Sequence, residues 1–213
     1  MLNRIKENKN KIISAILLIV IGVSIRLILH EVFFLDLLFV IAVISFLSGL
    51  LLGGYYTFII PISIMIITDS IIGNNAILLF TWSGFAVIGL IGYLMRSRLS
   101  LTLKKAPLFL GAGIGSILIY DIWTNFGCWL GAGFIMYPKT ISGLTACYLN
   151  AIPFTLWHLL STAAALTLVL IPIIYLKEQE SSNIKYSVKP LEKNTTIAVP
   201  AILMILAIIS LLV

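Results

Sequence analysis

Apolar runs alternate with short polar breaks along the whole chain. The runs are Ile12 to Leu29, Phe33 to Gly53, Tyr55 to Ile72, Ala76 to Met95, Pro107 to Trp123 and Pro153 to Leu176. A helix crosses the hydrocarbon core in about 20 predominantly apolar residues, so each run predicts one span. Breaks between the first four fall at His30-Glu31, Gly53-Gly54 and Gly73-Asn74-Asn75. A polar linker over residues 177–194 leads to a last apolar run, Thr195 to Val213, with Pro200 near its start.

One stretch departs from this pattern. Asp121 to His158 sets Trp123, Asn125, Trp129, Tyr137, Lys139, Tyr148, Asn150 and His158 among small residues such as Gly127, Gly131, Gly133 and Gly143. Glycine-rich backbone carrying polar side chains is tolerated at membrane depth only when buried in protein or lining a watered cavity, because hydrocarbon satisfies no free N–H or C=O. The stretch is therefore the predicted functional face.

Basic residues cluster at Arg4, Lys6, Lys9 and Lys11, at Arg96, Arg98, Lys104 and Lys105, and at Lys177, Lys185, Lys189 and Lys193. The positive-inside rule assigns all three clusters to the cytoplasm. Four spans separate the first two clusters, as an even count requires. Only two runs separate the second from the third, so residues 124–152 make no full crossing. They are expected to form a re-entrant or interfacial excursion on the outer side, with a short helix from Thr140 to Asn150 broken by Pro153. The first run carries no small-x-small cleavage site and reads as an uncleaved span with a cytoplasmic N-terminus. The expected architecture is thus an all-α, multi-pass cell-membrane protein. Residues 1–176 form a six-span core, 177–194 a cytoplasmic linker and 195–213 a seventh helix.

Composition supports this and removes other classes. The chain is 61% hydrophobic and 10% charged, with mean hydropathy +1.14, outside the soluble globular range. Its net charge of +6 would point to nucleic acid in a soluble domain. Here the bases sit between apolar runs, so they report orientation in a lipid bilayer and no nucleic-acid partner.

Between Ile12 and Leu176 the only acids are Glu31, Asp36, Asp69 and Asp121, each near the outward end of its run, as are Arg26, His30, Lys139 and His158. An ionisable group in the membrane costs about 2.5–3.5 kcal/mol on insertion scales, so such groups pair or line a pathway. Glu31 and His30 fit a solvated loop, and Arg26 lies within reach of an acid to neutralise. The others outline an outward-facing site with Asp36, Asp69, Asp121, Asn125, Trp129, Lys139, Tyr148 and His158 as candidate solute-binding residues. Four acids against Arg26 and Lys139 favour a cationic, zwitterionic or polar neutral ligand.

Trp82, Trp123, Trp129 and Trp157 also lie at outward ends, where an aromatic belt is the ordinary reading. Trp129, in the glycine-rich stretch, is the one best placed to stack on a flat ligand. The pairs Gly49/Gly53, Gly111/Gly115 and Gly127/Gly131 have the spacing of close helix contacts. Cys128 and Cys147 read as small buried residues, or as a disulfide if they face an oxidising space. No Walker A, H-E-x-x-H or G-x-S-x-G sequence is present, and no spacing of metal ligands, so neither an enzyme nor a cofactor or metal centre is expected.

Certain residues carry a resemblance. Thr124-Asn125-Phe126-Gly127, Trp129, Met136-Tyr137-Pro138-Lys139-Thr140, Gly143-Leu144, Cys147-Tyr148 and Ala151-Ile152-Pro153-Phe154 resemble the signature of a prokaryotic membrane family labelled as transport proteins. Ser48-Gly49, Pro61 and Thr68-Asp69-Ser70-Ile71-Ile72-Gly73 fit the same pattern. That family is similar in size and six-span layout to the substrate-binding S components of energy-coupling factor (ECF) transporters. The resemblance implies capture of a small solute from the outer side, together with a transmembrane coupling subunit and two cytoplasmic ATPases. A stand-alone ion-coupled carrier, and an intramembrane enzyme or scaffold, are the alternatives.

Overall fold

The computed structural model describes residues 2–33, 40–73, 76–131, 136–180, 199–200 and 203–205, and among these it contains helices and no strand. Six helices account for nearly all of them. They are α1 (Leu2–Phe33), α2 (Val40–Leu47, prolonged by a π-helical turn, Ser48–Leu52), α3 (Tyr56–Ile72), α4 (Leu78–Arg98), α5 (Ala106–Trp129) and α6 (Ile141–Glu180). A helix thus occupies each of the six predicted runs. Lys9–Glu31, Leu78–Arg98, Leu103–Trp129 and Ile141–Gln179 are long and apolar enough to cross a membrane, while Val40–Leu52 and Tyr56–Ile72 are shorter apolar helices. Asp36, nearly all of the linker and most of the predicted last span lie outside the described residues.

α2 is apolar on every side and is buried on every side from Ile41 to Leu47. It forms the middle of the bundle, its Phe46 sharing one core with Ile60 and Ile64 of α3, Phe109 and Ile117 of α5 and Leu166 of α6. The outer helices keep apolar side chains on their outward faces as well, including Ile16, Leu17 and Val20 of α1 and Leu160 and Leu168 of α6, all more than half exposed. Such surfaces suit hydrocarbon and not water.

Glycines let α2 and α4 touch backbone to backbone. A Cβ on Gly49 would lie 2.0 Å from the Gly89 carbonyl, and one on Gly92 would lie 2.2 Å from that of Phe46. Gly111 and Gly115 have no such neighbour within 4 Å among the described residues, so the first of the predicted small-residue pairs packs through Gly49 and the second faces open space there. Pro61 lies inside α3 and has no N–H for the Thr57 carbonyl one turn earlier. The Ser48 hydroxyl donates to the Ser45 carbonyl at 2.7 Å and lies 3.3 Å from that of Thr57. The π-helical turn thus sets a hydroxyl beside the gap that a proline leaves in the next helix.

One expectation is corrected. The helix expected from Thr140 to Asn150 is not broken at Pro153. α5 continues to Trp129, and α6 runs without interruption from Ile141 through Pro153 and Pro172. Both prolines are on exposed positions, so the carbonyls they leave unpaired turn away from the core. At 40 residues α6 is about 60 Å long, twice a hydrocarbon core of about 30 Å. The glycine-rich stretch is the upper part of an α5–α6 hairpin.

Register along that hairpin is uneven. Near its foot, the Glu178 carboxylate accepts the Leu103 backbone N–H at 3.0 Å, and a Cβ on Gly113 would meet Leu166. Higher up, Cys147 Sγ donates to the Asn125 carbonyl at 3.4 Å, and His158 pairs with Asp121 at 2.9 Å. Cys147 and His158 are about three turns apart on α6, yet their partners are about one turn apart on α5. The two helices therefore diverge between these contacts, and Pro153 lies midway between the two α6 residues, where the helical ladder is weakest.

Candidate functional site

The divergence opens a cavity of about 480 Å³ at the end of the bundle opposite the basic residues Arg98 and Lys104. α5 contributes Tyr120, Asp121, Thr124 and Asn125 to its wall, the α5–α6 turn Met136 and Tyr137, α4 Thr81, and α6 Asn150, Phe154 and His158. A second cavity, of about 280 Å³ and almost wholly apolar, adjoins the same pair of helices and is walled by Leu118, Ile122, Ile152, Leu156 and Leu159. Asp121, Asn125, Ala151 and Thr155 line both.

Asp121 is the charged residue at this junction, and it is buried, with 5% of its surface exposed. Its Oδ1 lies 2.9 Å from His158 Nδ1, which donates in the neutral imidazole whose Nδ1 carries the proton. Its Oδ2 has no hydrogen-bond partner among the described atoms. Asn125 Nδ2 donates to the Asp121 carbonyl at 2.8 Å, holding the amide against the α5 backbone. Asn150 Nδ2 donates to Tyr137 Oη at 3.3 Å, which leaves the phenol hydrogen for another acceptor. One more polar atom continues the line downward. Thr162, one turn beyond His158, is 2% exposed and its Oγ1 has no partner among the described atoms.

Asp69 belongs to a different cluster. Arg26 of α1 donates through Nη1 to Asp69 Oδ1 at 2.6 Å and to the Thr68 hydroxyl, and Trp82 Nε1 donates to Asp69 Oδ2 at 2.7 Å. Both carboxylate oxygens are thereby occupied, and the pair is about nine-tenths buried. The first turns of α4 connect the two clusters. Thr81 lines the larger cavity, Trp82 binds Asp69, and Ser83 accepts the Trp123 indole N–H at 2.8 Å.

The eight predicted residues thus separate. Asp121, Asn125 and His158 share the larger cavity, whereas Tyr148 lines the smaller one and donates from its hydroxyl to the Ile122 carbonyl at 3.0 Å. Trp129 donates to the Pro138 carbonyl at 3.1 Å and so fastens the α5–α6 turn, on which Lys139 is exposed. Asp36 is outside the described residues. Sequence reasoning missed Thr81 and Thr155. Thr155 shares a helical face with Cys147, Ala151 and His158, a signal that becomes readable once α6 is carried through Pro153. Among the described residues no group of three or more His, Cys, Asp or Glu could hold a metal ion, and Cys128 and Cys147 are both free thiols beside the larger cavity.

No curated protein and no solved structure matches the chain. A family pattern does, described as a family of unknown function, DUF6580, and it covers residues 6–184. That range takes in the six helices apart from the first four residues of α1, both polar clusters and the two cavities, so the chain belongs to the family of unknown function DUF6580.

Proposed function

We propose that this protein is a membrane transport subunit that captures a small solute from the outer side, in the manner of an ECF S component. The observation that carries the reading is the larger cavity, with a buried carboxylate bearing an unpartnered oxygen at its wall. Its volume is within the range of ligand sites, roughly 300–1,000 Å³, and its mostly apolar wall with a few convergent polar groups has their usual composition. The basic residues at the opposite end support a cytoplasmic foot and an outward cavity. Six helices around one core support this reading, and on it a coupling subunit with two ATPases would supply energy from the cytoplasmic side.

Native mass spectrometry of the protein gently extracted from its own membranes tests this. A co-purifying small molecule together with a membrane subunit and ATPases is the expected result. A bare chain, with neither solute nor subunits, would overturn it.

A stand-alone carrier driven by protons is the second reading, favoured by the buried contact of Asp121 with His158 and by Thr162 one turn deeper. Chains of acids and histidines of this kind mark proton routes in transporters. Solute uptake by vesicles containing this protein alone, lost on Asp121→Asn, is its signature.

A further inference from the structure

We infer that the ligand of this cavity is an organic amine, or a similar nitrogen cation, joined to an apolar body. The inference rests on the capture reading above and narrows it to a chemical class. Asp121 is more than nine-tenths buried, and a buried polar atom costs free energy unless it is hydrogen-bonded. His158 occupies Oδ1, while Oδ2 has no partner among the described atoms and is closed off as the side chain stands, so a ligand donor reaches it through a turn of the Asp121 carboxylate toward the cavities it lines. Among the described residues no lysine or arginine lines either cavity, so an anionic ligand would meet the Asp121 carboxylate with only His158 beside it. A cationic donor would complete both the charge and the hydrogen bond.

The rest of the molecule would be apolar. Tyr120, Met136 and Phe154 form much of the larger wall, and Leu118, Ile152 and Leu156 face the adjoining chamber. Because Asp121 and Ala151 line both spaces, a nitrogen held at Asp121 has apolar surface within reach on either side. The neighbouring hydroxyls of Thr81, Thr124 and Tyr137 suit additional polar groups on such a ligand.

The test uses the full-length protein in zwitterionic lipid nanodiscs and three probes of similar shape: 3-phenylpropylamine, 3-phenylpropanol and 3-phenylpropanoate. Binding is read by calorimetry and by thermal shift. A charge-assisted hydrogen bond is worth about 1.5–3 kcal/mol, so the amine should bind at least about tenfold more tightly than the alcohol, and the carboxylate weakest of all. Asp121→Asn should erase that preference while leaving the melting temperature without ligand near wild type. Ala151→Leu, which retains the carboxylate but fills the junction of the chambers, should weaken the amine comparably and serves if the first variant does not fold. Equal binding of amine and alcohol, or an amine preference that survives both substitutions, would overturn the inference. Capture itself would stand if an anionic or neutral solute co-purified and was lost in Ala151→Leu. It would fall with the inference if no solute co-purified and no probe of any charge bound.

Discussion

Two aspartates at the same end of the bundle have different work to do, and their second oxygens separate them. Asp69 spends both oxygens on protein donors, Arg26 and Trp82, and so ties α1 to α3 and α4. Asp121 spends one and keeps the other. Asp69→Asn would leave the Arg26 guanidinium buried beside a neutral amide, and breaking a buried ion pair in this way costs about 3–5 kcal/mol. The double substitution Arg26→Met with Asp69→Leu should recover most of that loss, because apolar side chains of similar size replace a buried pair at little net cost. Unfolding in mixed detergent micelles measures both, and an Asp69→Asn protein as stable as wild type would show that the pair is not a lock. The sequence showed that Arg26 had an acid within reach but not which one, and it offered Asp69 as a solute-binding residue instead. Trp82 was not legible as a partner, because a tryptophan near the end of a span reads as interfacial and nothing in its spacing announces a carboxylate.

Among the elements, α6 is the one whose form follows least directly from residue type. Proline inside an apolar run reads as a break, yet α6 passes through Pro153 because the residue is exposed and the carbonyl one turn earlier points away from the core. The proline's effect is felt across the hairpin, where α5 and α6 diverge between the Asn125–Cys147 and Asp121–His158 contacts and the cavity opens. Pro153→Ala restores a backbone N–H and should raise stability by as much as about 3 kcal/mol, the usual cost of an interior proline. It should also bring α6 closer to α5 and shrink the cavity. The expected result is therefore a higher melting temperature with weaker probe binding. A stabilised protein with unchanged binding would separate the proline from the cavity. The apolar runs located all six helices, but the hairpin's register depends on contacts between residues far apart in the chain, which no local pattern reports.

For the molecule as a whole, function turns on which end faces out. The cavity and the Arg26–Asp69 pair share one end, whereas Arg98 and Lys104 are exposed at the other, where Glu178 meets Leu103. Positive charge accumulates on cytoplasmic segments, so we propose that the basic end faces inside and the α5–α6 turn, with its exposed Lys139, outside. The lone lysine on that turn does not compete with the clusters at the foot. In a chain whose two cysteines are replaced by alanine, Lys139→Cys should react with a membrane-impermeant maleimide on intact cells. Lys104→Cys should react only after the cells are opened. The reverse pattern would turn the protein over and make the cavity a site for solutes of the cytoplasm. Labelling of both from one side would mean that α5 does not cross, and the cavity would then belong to a protein lying along the bilayer rather than through it.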